Sequence, residues 1–166
     1  MEEFQSIRVP YGQVSLEFTL PKDKIQAILA PKPYSSSLPE GNIISESLEN
    51  PTNSPPLREL VKGKKHILLI TNDNTRPFTS RMTFPLILKE IKAGNPQAKI
   101  TILIATGLHS KPEYQELREK FTEDVLSDSN IDILVHDAYN DITFLSKLST
   151  NTELWINKLI LESDVV

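Results

Sequence analysis

Cysteine is absent from the 166 residues, and its absence excludes several kinds of chemistry. Disulfide bonds, thiolate metal sites and cysteine nucleophiles cannot form. A chain without disulfides fits a reducing compartment. The N-terminal sequence MEEFQSIRVP is acidic and has no apolar signal core, so we expect no secretory signal and a cytoplasmic protein.

Glycine and long apolar runs are also scarce, and the 18 Lys and Arg residues do not outnumber the 22 Asp and Glu residues. Only 5 glycines are present, and the glycine-rich patterns that bind phosphate do not occur. The G-x-S-x-G pattern of hydrolases and the H-E-x-x-H pattern of metalloproteases are missing as well. The net charge of −4 argues against nucleic acid as a partner. No apolar run approaches the roughly 20 residues of a spanning helix, so we expect no membrane partner.

The residues that are present have the composition of a folded protein. Hydrophobic residues make up 39% and charged residues 24%, and the length allows one domain with a core. In residues 1–20, apolar and polar side chains alternate on either side of a Pro-Tyr-Gly turn, which predicts a β-hairpin. Residues 21–56 are rich in Pro, Ser and Asn and predict an extended linker with a short helix at Ile43–Leu48.

The segment 57–166 predicts a core in which strands and helices alternate. We expect strands at 66–71, 99–105 and 131–136, and helices at 57–62, 79–93 and 111–121. The last helix has Ser110 as its N-cap and Glu113 three residues later, the pattern of a capping box. Such alternation is typical of a parallel sheet covered by helices on both faces.

We therefore predict a single Rossmann-like α/β domain over 1–166, in which the hairpin and the linker precede a parallel sheet with flanking helices. After Asp137 the pattern predicts two short strands, for which a hairpin is one arrangement. The final LILESDVV predicts the start of another α/β step, with LESDVV as a strand that is cut short.

Polar residues follow the first two strands of the predicted sheet. Asp73, Asn74, Thr75 and Arg76 follow the first strand, and Thr106, Gly107 and His109 follow the second. Ligands of open parallel sheets bind beyond the carboxyl ends of the strands, so these residues line one crevice if the strands are neighbours. Each residue also has a structural interpretation. The Asp73 side chain can cap a turn, and Arg76 can pair with Asp73 or Glu90 on the surface.

The functional interpretation gives these residues chemical roles. Arg76 would bind a carboxylate or phosphate through two parallel hydrogen bonds. His109, next to a predicted helix N-terminus, would be held neutral by the helix dipole and act as a base. Thr106 and Gly107 would offer backbone N–H groups at the helix start, which is a weak anion site. His136, in HDAYND, fits a polar turn as well as a functional role.

Four stretches together resemble the N-terminal domain of the lactate racemase family, whose enzymes carry a nickel-pincer nucleotide. They are ENPTNSPPLREL, TNDNTRP, ILIATGLHSKPEYQELREKF, and VHDAYND followed by NKLILESDVV. The leading VPYGQVSLEFTLP also fits the start of the family. The resemblance implies a two-domain racemase or epimerase of 2-hydroxyacids, with substrate and cofactor between the domains. It also implies that the nickel complex takes a hydride from the substrate carbon while a histidine takes the hydroxyl proton.

Carried over to this sequence, the resemblance assigns individual roles. His109 matches one of the family's two acid/base histidines, and Arg76 matches the arginine that grips the substrate carboxylate. Asp73 matches the aspartate that supports this pair. We expect the cofactor to be approached by four further residues: Thr75, Asn74, Thr106 and Gly107. We expect no residue of this chain to ligate the metal.

The resemblance also implies which parts of the enzyme this chain does not contain. The second acid/base histidine, the lysine bound to the cofactor and the histidine that ligates nickel belong to a segment of the family beyond the position of Val166. We therefore expect the N-terminal half of a larger enzyme, with a C-terminal domain as its partner. Alone it should bind no cofactor tightly and be inactive. The alternative is a non-catalytic ligand-binding or interaction domain on the same scaffold, and the sequence that follows Val166 in the gene would distinguish the two.

Overall fold

The structure is a computed structural model that describes residues 3–33, 35–76 and 79–166. It falls into two compact units, Met1–Ser37 and Leu38–Val166. The predicted hairpin lies in the first unit and the predicted α/β core lies in the second. That the two units make up one domain stays a prediction. Among the described helices, none has both the length and the apolar character that crossing a bilayer requires.

The first unit contains the predicted hairpin. Strand β1 (Phe4–Tyr11) pairs antiparallel with β2 (Val14–Pro21), and Gly12 lies in the turn between them at φ +58°. The register pairs Ile7 with Phe18 and Val9 with Leu16, so one face of the hairpin is apolar. A 3₁₀ turn at Lys22–Lys24 follows β2.

The second unit is built around a three-stranded parallel sheet, which confirms the predicted fold class at this level. Strands β3 (His66–Asn72), β4 (Lys99–Ala105) and β5 (Ile131–Val135) lie side by side in that order. The helices are α1 (Glu40–Glu49), α2 (Leu57–Leu60), α3 (Ser80–Gly94), α4 (Tyr114–Lys120), α5 (Glu123–Leu126) and α6 (Leu159–Glu162). The predicted second hairpin is present as β6 (Ile142–Lys147) and β7 (Glu153–Asn157). The finer Rossmann-like classification stays a prediction.

One face of the parallel sheet forms the core. The register places Ile67, Ile100 and Ile131 in one row, and all three are buried. Helix α3 covers this face, and its Phe84 packs edge to face on Phe121 at a centroid distance of 5.3 Å. The opposite face is covered less completely, because Ile70 is 46% exposed and Leu134 is 44% exposed. The expectation that both faces are covered is therefore wrong at these positions.

Helix α4 begins three residues later than predicted. Its N-cap is Glu113, and the capping box joins Glu113 to Glu116, so Ser110 is not the N-cap. The physical reason is Pro112, which disfavours a helical backbone at the residue before it. The chain therefore reaches α4 through a non-helical segment instead of entering it directly after His109.

The C-terminal segment combines a helix with a single strand contact. Leu159–Glu162 form α6, so the predicted strand over LESDVV is wrong for its first residues. Val165 nevertheless forms a parallel bridge to Ile67, and the Leu68 N–H donates to the Val165 carbonyl at 2.8 Å. The Asp164 carboxylate accepts the backbone N–H groups of Lys65 and His66 at 2.7 and 2.9 Å.

Candidate active site

Asp73 follows the last residue of β3 and is only 4% exposed. Its Oδ1 atom accepts the Thr75 N–H at 3.2 Å and the Thr75 hydroxyl at 2.6 Å. These bonds form the Asx turn that the sequence predicts, since an aspartate commonly bonds the backbone two residues later. The turn uses one carboxylate oxygen and leaves the other available.

The second oxygen of Asp73 contacts His109. Its Oδ2 atom lies 2.5 Å from Nδ1 of His109, and the histidine side chain is 59% exposed. Two features of the fold bring these residues together. The parallel register aligns Asn72 at the end of β3 with Ala105 at the end of β4. A turn then brings the chain back, with Gly107 at φ +59° and the His109 N–H donating to the Thr106 carbonyl at 3.0 Å.

The charge on this pair follows from the hydrogen bonds. The bond from the Thr75 hydroxyl, and then the bond from the His109 ring, lower the pKa of Asp73 to about 2, although burial opposes them. Asp73 is therefore a carboxylate at neutral pH and accepts a hydrogen bond from Nδ1–H of His109. Nε2 is then the ring atom that can take or return a proton.

The prediction that His109, Thr106 and Gly107 lie at the start of a helix is wrong. Helix α4 begins at Tyr114, so no helix N-terminus adjoins His109 or the Thr106–Gly107 pair. The ring of His109 lies against a carboxylate instead of a helix dipole. Thr106 is 3% exposed, and its hydroxyl donates to the His136 carbonyl at 3.0 Å, which connects the ends of β4 and β5.

Asn74 and Arg76 occupy different environments in the loop after β3. The Asn74 amide nitrogen donates to Oε1 of Glu116, so this side chain joins the loop to α4. Arg76 is exposed. The two acids considered as its surface partners are engaged elsewhere. Asp73 contacts His109, and Glu90 accepts two hydrogen bonds from Arg58 at 2.7 and 3.0 Å. The structural and the functional interpretations of Arg76 both stay predictions.

An open groove of about 720 Å³ lies beside His109. Three of the residues predicted for the site line it: Asn74, Thr75 and His109. The other predicted residues, Asp73, Arg76, Thr106 and Gly107, are not part of its lining. Sequence reasoning missed Lys111, Glu113 and Glu116, which also line the groove. Glu113 and Glu116 have the capping-box spacing, which would have identified them if α4 had been started after Pro112.

The end of β5 has a different arrangement. Asp137 accepts the N–H groups of Tyr139 and Asn140 at 2.9 and 3.1 Å, so HDAYND forms a polar turn. His136 Nδ1 lies 2.9 Å from the amide nitrogen of Asn157, which is 6% exposed. An amide nitrogen only donates, so the His136 nitrogen accepts.

In the described part of the chain, no three His, Asp or Glu side chains are grouped so as to hold a metal ion.

Comparisons with known proteins place these features in a family. The family model described as the lactate racemase N-terminal domain matches residues 11–166. A lactate racemase from Thermoanaerobacterium thermosaccharolyticum is 41% identical over 165 residues, which cover 97% of this chain and 38% of that protein. A lactate racemase from Lactiplantibacillus plantarum is 34% identical over 135 residues, which cover 80% of this chain and 31% of that protein.

A solved structure agrees with these sequence matches. The structure of the lactate racemase apoprotein from Thermoanaerobacterium thermosaccharolyticum superimposes with a TM-score of 0.82 at 41% identity and covers 97% of this chain. This chain spans 38% of the length of that protein. The resemblance seen in the sequence motifs is thereby confirmed, and the chain belongs to the lactate racemase N-terminal domain family.

Proposed function

We propose that this chain is the N-terminal catalytic part of a 2-hydroxyacid racemase that acts on lactate or a similar small hydroxyacid. A C-terminal domain would complete the enzyme. The observation that carries the proposal is the contact of 2.5 Å between the buried Asp73 carboxylate and the exposed His109 ring. Buried carboxylates paired with exposed imidazoles are typical of acid/base sites.

In this proposal His109 moves the proton of the substrate hydroxyl. Nε2 takes the proton, and the Asp73 carboxylate stabilises the imidazolium that forms and holds the ring in one orientation. When the substrate is converted in the opposite direction, the protonated Nε2 returns a proton to the substrate oxygen. Thr75 keeps Asp73 in place through two hydrogen bonds. Arg76 would bind the substrate carboxylate, because its guanidinium presents two parallel donors.

The nickel-pincer nucleotide remains a proposal that rests on the family resemblance. When bound, such a group would accept and return the hydride of the substrate carbon. None of the described residues is proposed to hold its metal, because the resemblance places the nickel-ligating histidine beyond the position of Val166. We derive no step through the cofactor. Contacts from Asn74, Thr75, Thr106 and Gly107 to its organic part are proposed, and Asn74 and Thr75 line the groove where such contacts would form.

The test is racemisation of each lactate enantiomer by the full-length protein that carries this chain. We expect interconversion of the two enantiomers, and we expect His109→Ala to lower turnover by roughly 10²–10⁴, the usual range for a positioned general base. His66→Ala is the matched control, since His66 is exposed and lies at the opposite end of β3. Racemase activity that survives His109→Ala unchanged would contradict the acid/base role. No activity with any small hydroxyacid would favour the non-catalytic binding domain.

A further inference from the structure

Lys120 is a buried cation that the proposed proton step does not use. It is the last residue of α4 and is 2% exposed. Its Nζ atom lies 6.0 Å from the ring centroid of Phe121. Phe121 in turn packs on Phe84 in the second turn of α3. Lysine is rarely buried to this extent unless an opposite charge lies nearby.

The position of Lys120 on α4 places it on the side of the helix that contacts the Asp73 loop. Glu116 and Lys120 are four residues apart, so they lie on the same face of the helix. Glu116 accepts a hydrogen bond from Asn74, the residue that follows Asp73. The face of α4 that carries Lys120 is therefore turned toward the loop that holds the carboxylate.

The electrostatics agree with this geometry. Burial lowers the pKa of Lys120, and attraction to the Asp73 carboxylate opposes that effect. The guanidinium of Arg81 in α3 is one other charged group nearby, since it donates to the Arg118 and Phe121 carbonyls that flank Lys120. Further charged groups are Arg76 in the Asp73 loop and four residues of the groove beside His109: Lys111, Glu113, Glu116 and Glu119. These groups are exposed or half-buried, so solvent screens them more strongly than it screens Lys120 and Asp73.

We propose that Lys120 is a positioning residue that acts through Asp73 and limits how strongly this carboxylate holds the proton on His109. The inference rests on the proposed acid/base function of His109. A bare carboxylate beneath the ring would favour the imidazolium, whereas a racemase needs a group that both takes and returns the proton. A buried ammonium near the carboxylate weakens the attraction and brings the two forms closer in free energy.

The first experiment is an NMR titration of the His109 ring in the full-length protein, with ¹³C-labelled histidine and assignment by His109→Gln. Lys120→Met keeps the length of the side chain and removes the charge. We expect the midpoint of the His109 titration to move upward by about 0.5 pH unit, the size of a single-charge effect over roughly 10 Å at an effective dielectric constant of about 50, because the His109 ring is largely exposed to solvent. Lys120→Arg keeps the charge and should restore the wild-type midpoint.

The matched control is Lys99→Met. It removes the same charge from an exposed ion pair with Asp132 at the opposite end of β4, so the midpoint should stay at its wild-type value. If Lys120 had a purely structural role, Lys120→Met would change the free energy of unfolding and leave the midpoint of the His109 titration unchanged. A Lys120→Met titration identical to wild type would therefore overturn the proposal.

A second measurement keeps the proposal testable if Lys120→Met does not fold. In Asp73→Asn, the attraction that opposes the effect of burial is lost, so the midpoint of the Lys120 ammonium titration should move downward. An unchanged midpoint would show that the two charges are not coupled, which also overturns the proposal.

The kinetic consequence separates this proposal from the proposed function. In the direction in which His109 acts as base, Lys120→Met should lower kcat/KM about threefold on the acidic side of the pH profile, which is the 0.5-unit change expressed as a ratio. If the wild-type protein does not racemise hydroxyacids, the proposed function fails, while the two titrations still decide the role of Lys120. If the wild type racemises hydroxyacids and Lys120→Met has the same pH profile of kcat/KM, the role of Lys120 alone is contradicted.

Discussion

Two polar clusters at the carboxyl edge of the sheet contain the same kinds of residue in different arrangements. In the first cluster, Asp73 divides its two oxygens between a local turn and the ring of His109. In the second, Asp137 binds only its own turn, and the neighbouring His136 is held by the amide of Asn157. In this protein, the carboxylate–imidazole pair joins an aspartate after one strand to a ring from the neighbouring strand's loop, whereas the adjacent His136 and Asp137 contact other partners.

The largest expected difference between the clusters is in the proposed racemase turnover of the full-length protein that carries this chain. Asp73→Asn keeps the Asx turn, because an amide oxygen still accepts, but removes the charge that stabilises the imidazolium. We expect kcat to fall by about 10²-fold, in the range seen for groups that stabilise a charge in the transition state. Asp137→Asn is the matched change in the second cluster and should leave kcat within about twofold of the wild type. Steady-state kinetics with both enantiomers measures the two effects, and equal losses would remove the distinction between the clusters.

A smaller effect is expected at Arg76, an exposed residue of the loop that holds Asp73. Arg76→Ala should weaken substrate binding about 30-fold, the value of a charge-assisted, two-point hydrogen bond to a carboxylate. Arg76→Lys should recover only part of the affinity, because an ammonium keeps the charge and loses the planar fork. Equilibrium binding of lactate measures both variants. If Arg76→Ala binds lactate with nearly the wild-type affinity, Arg76 does not bind the substrate and has only a structural role in the loop.

The two aspartates should also differ in how they link stability to pH. The folded-state pKa of Asp73 is lowered from 3.8 to about 2, so its ionisation stabilises the fold above the unfolded-state pKa. This stabilisation is lost as the pH falls from about 4 toward 2. Hydrogen bonding by Asn140 lowers the pKa of Asp137 in the same direction.

Urea unfolding between pH 2 and pH 7 tests this linkage. Asp73→Asn should lower the free energy of unfolding at pH 7 and have little effect near pH 2, and Asp137→Asn should show the same trend with a smaller amplitude. A difference between wild type and Asp73→Asn that is independent of pH would contradict the assignment of the lowered pKa.

The smallest effect is expected from the hydrogen bonds that close the two turns. Thr75→Val removes the hydroxyl that lies 2.6 Å from the buried Asp73 oxygen, and we expect Tm to fall by roughly 2–4 °C. Asn140→Ala removes a side-chain hydrogen bond of 3.0 Å to Asp137 on the surface, where water replaces it, so the change in Tm should be below about 1 °C. Calorimetry measures both, and a larger loss for Asn140→Ala would show that burial does not separate the two turns.

The elements of the core were predictable because their signals are local. Apolar runs bounded by polar residues located β3, β4 and β5 to within a residue or two. The start of α4 was misplaced because the Ser110–Glu113 spacing imitated a capping box, while Pro112 determined the backbone. The C-terminal segment was predicted only in part, because its strand contact depends on Ile67, far away in the chain.

The sequence by itself determined the polar strand ends, the turn that Asp73 closes with Thr75 and the motifs that identify the family. All of these depend on residues that are close together in the chain. Only the tertiary structure decided that Asp73 meets His109, which lies 36 residues later, that Asn74 meets Glu116, and that Lys120 is buried. The physical reason is that these contacts follow from the order and register of β3 and β4 and from the packing of α4, and a chemically similar cluster at the end of β5 forms no such pair.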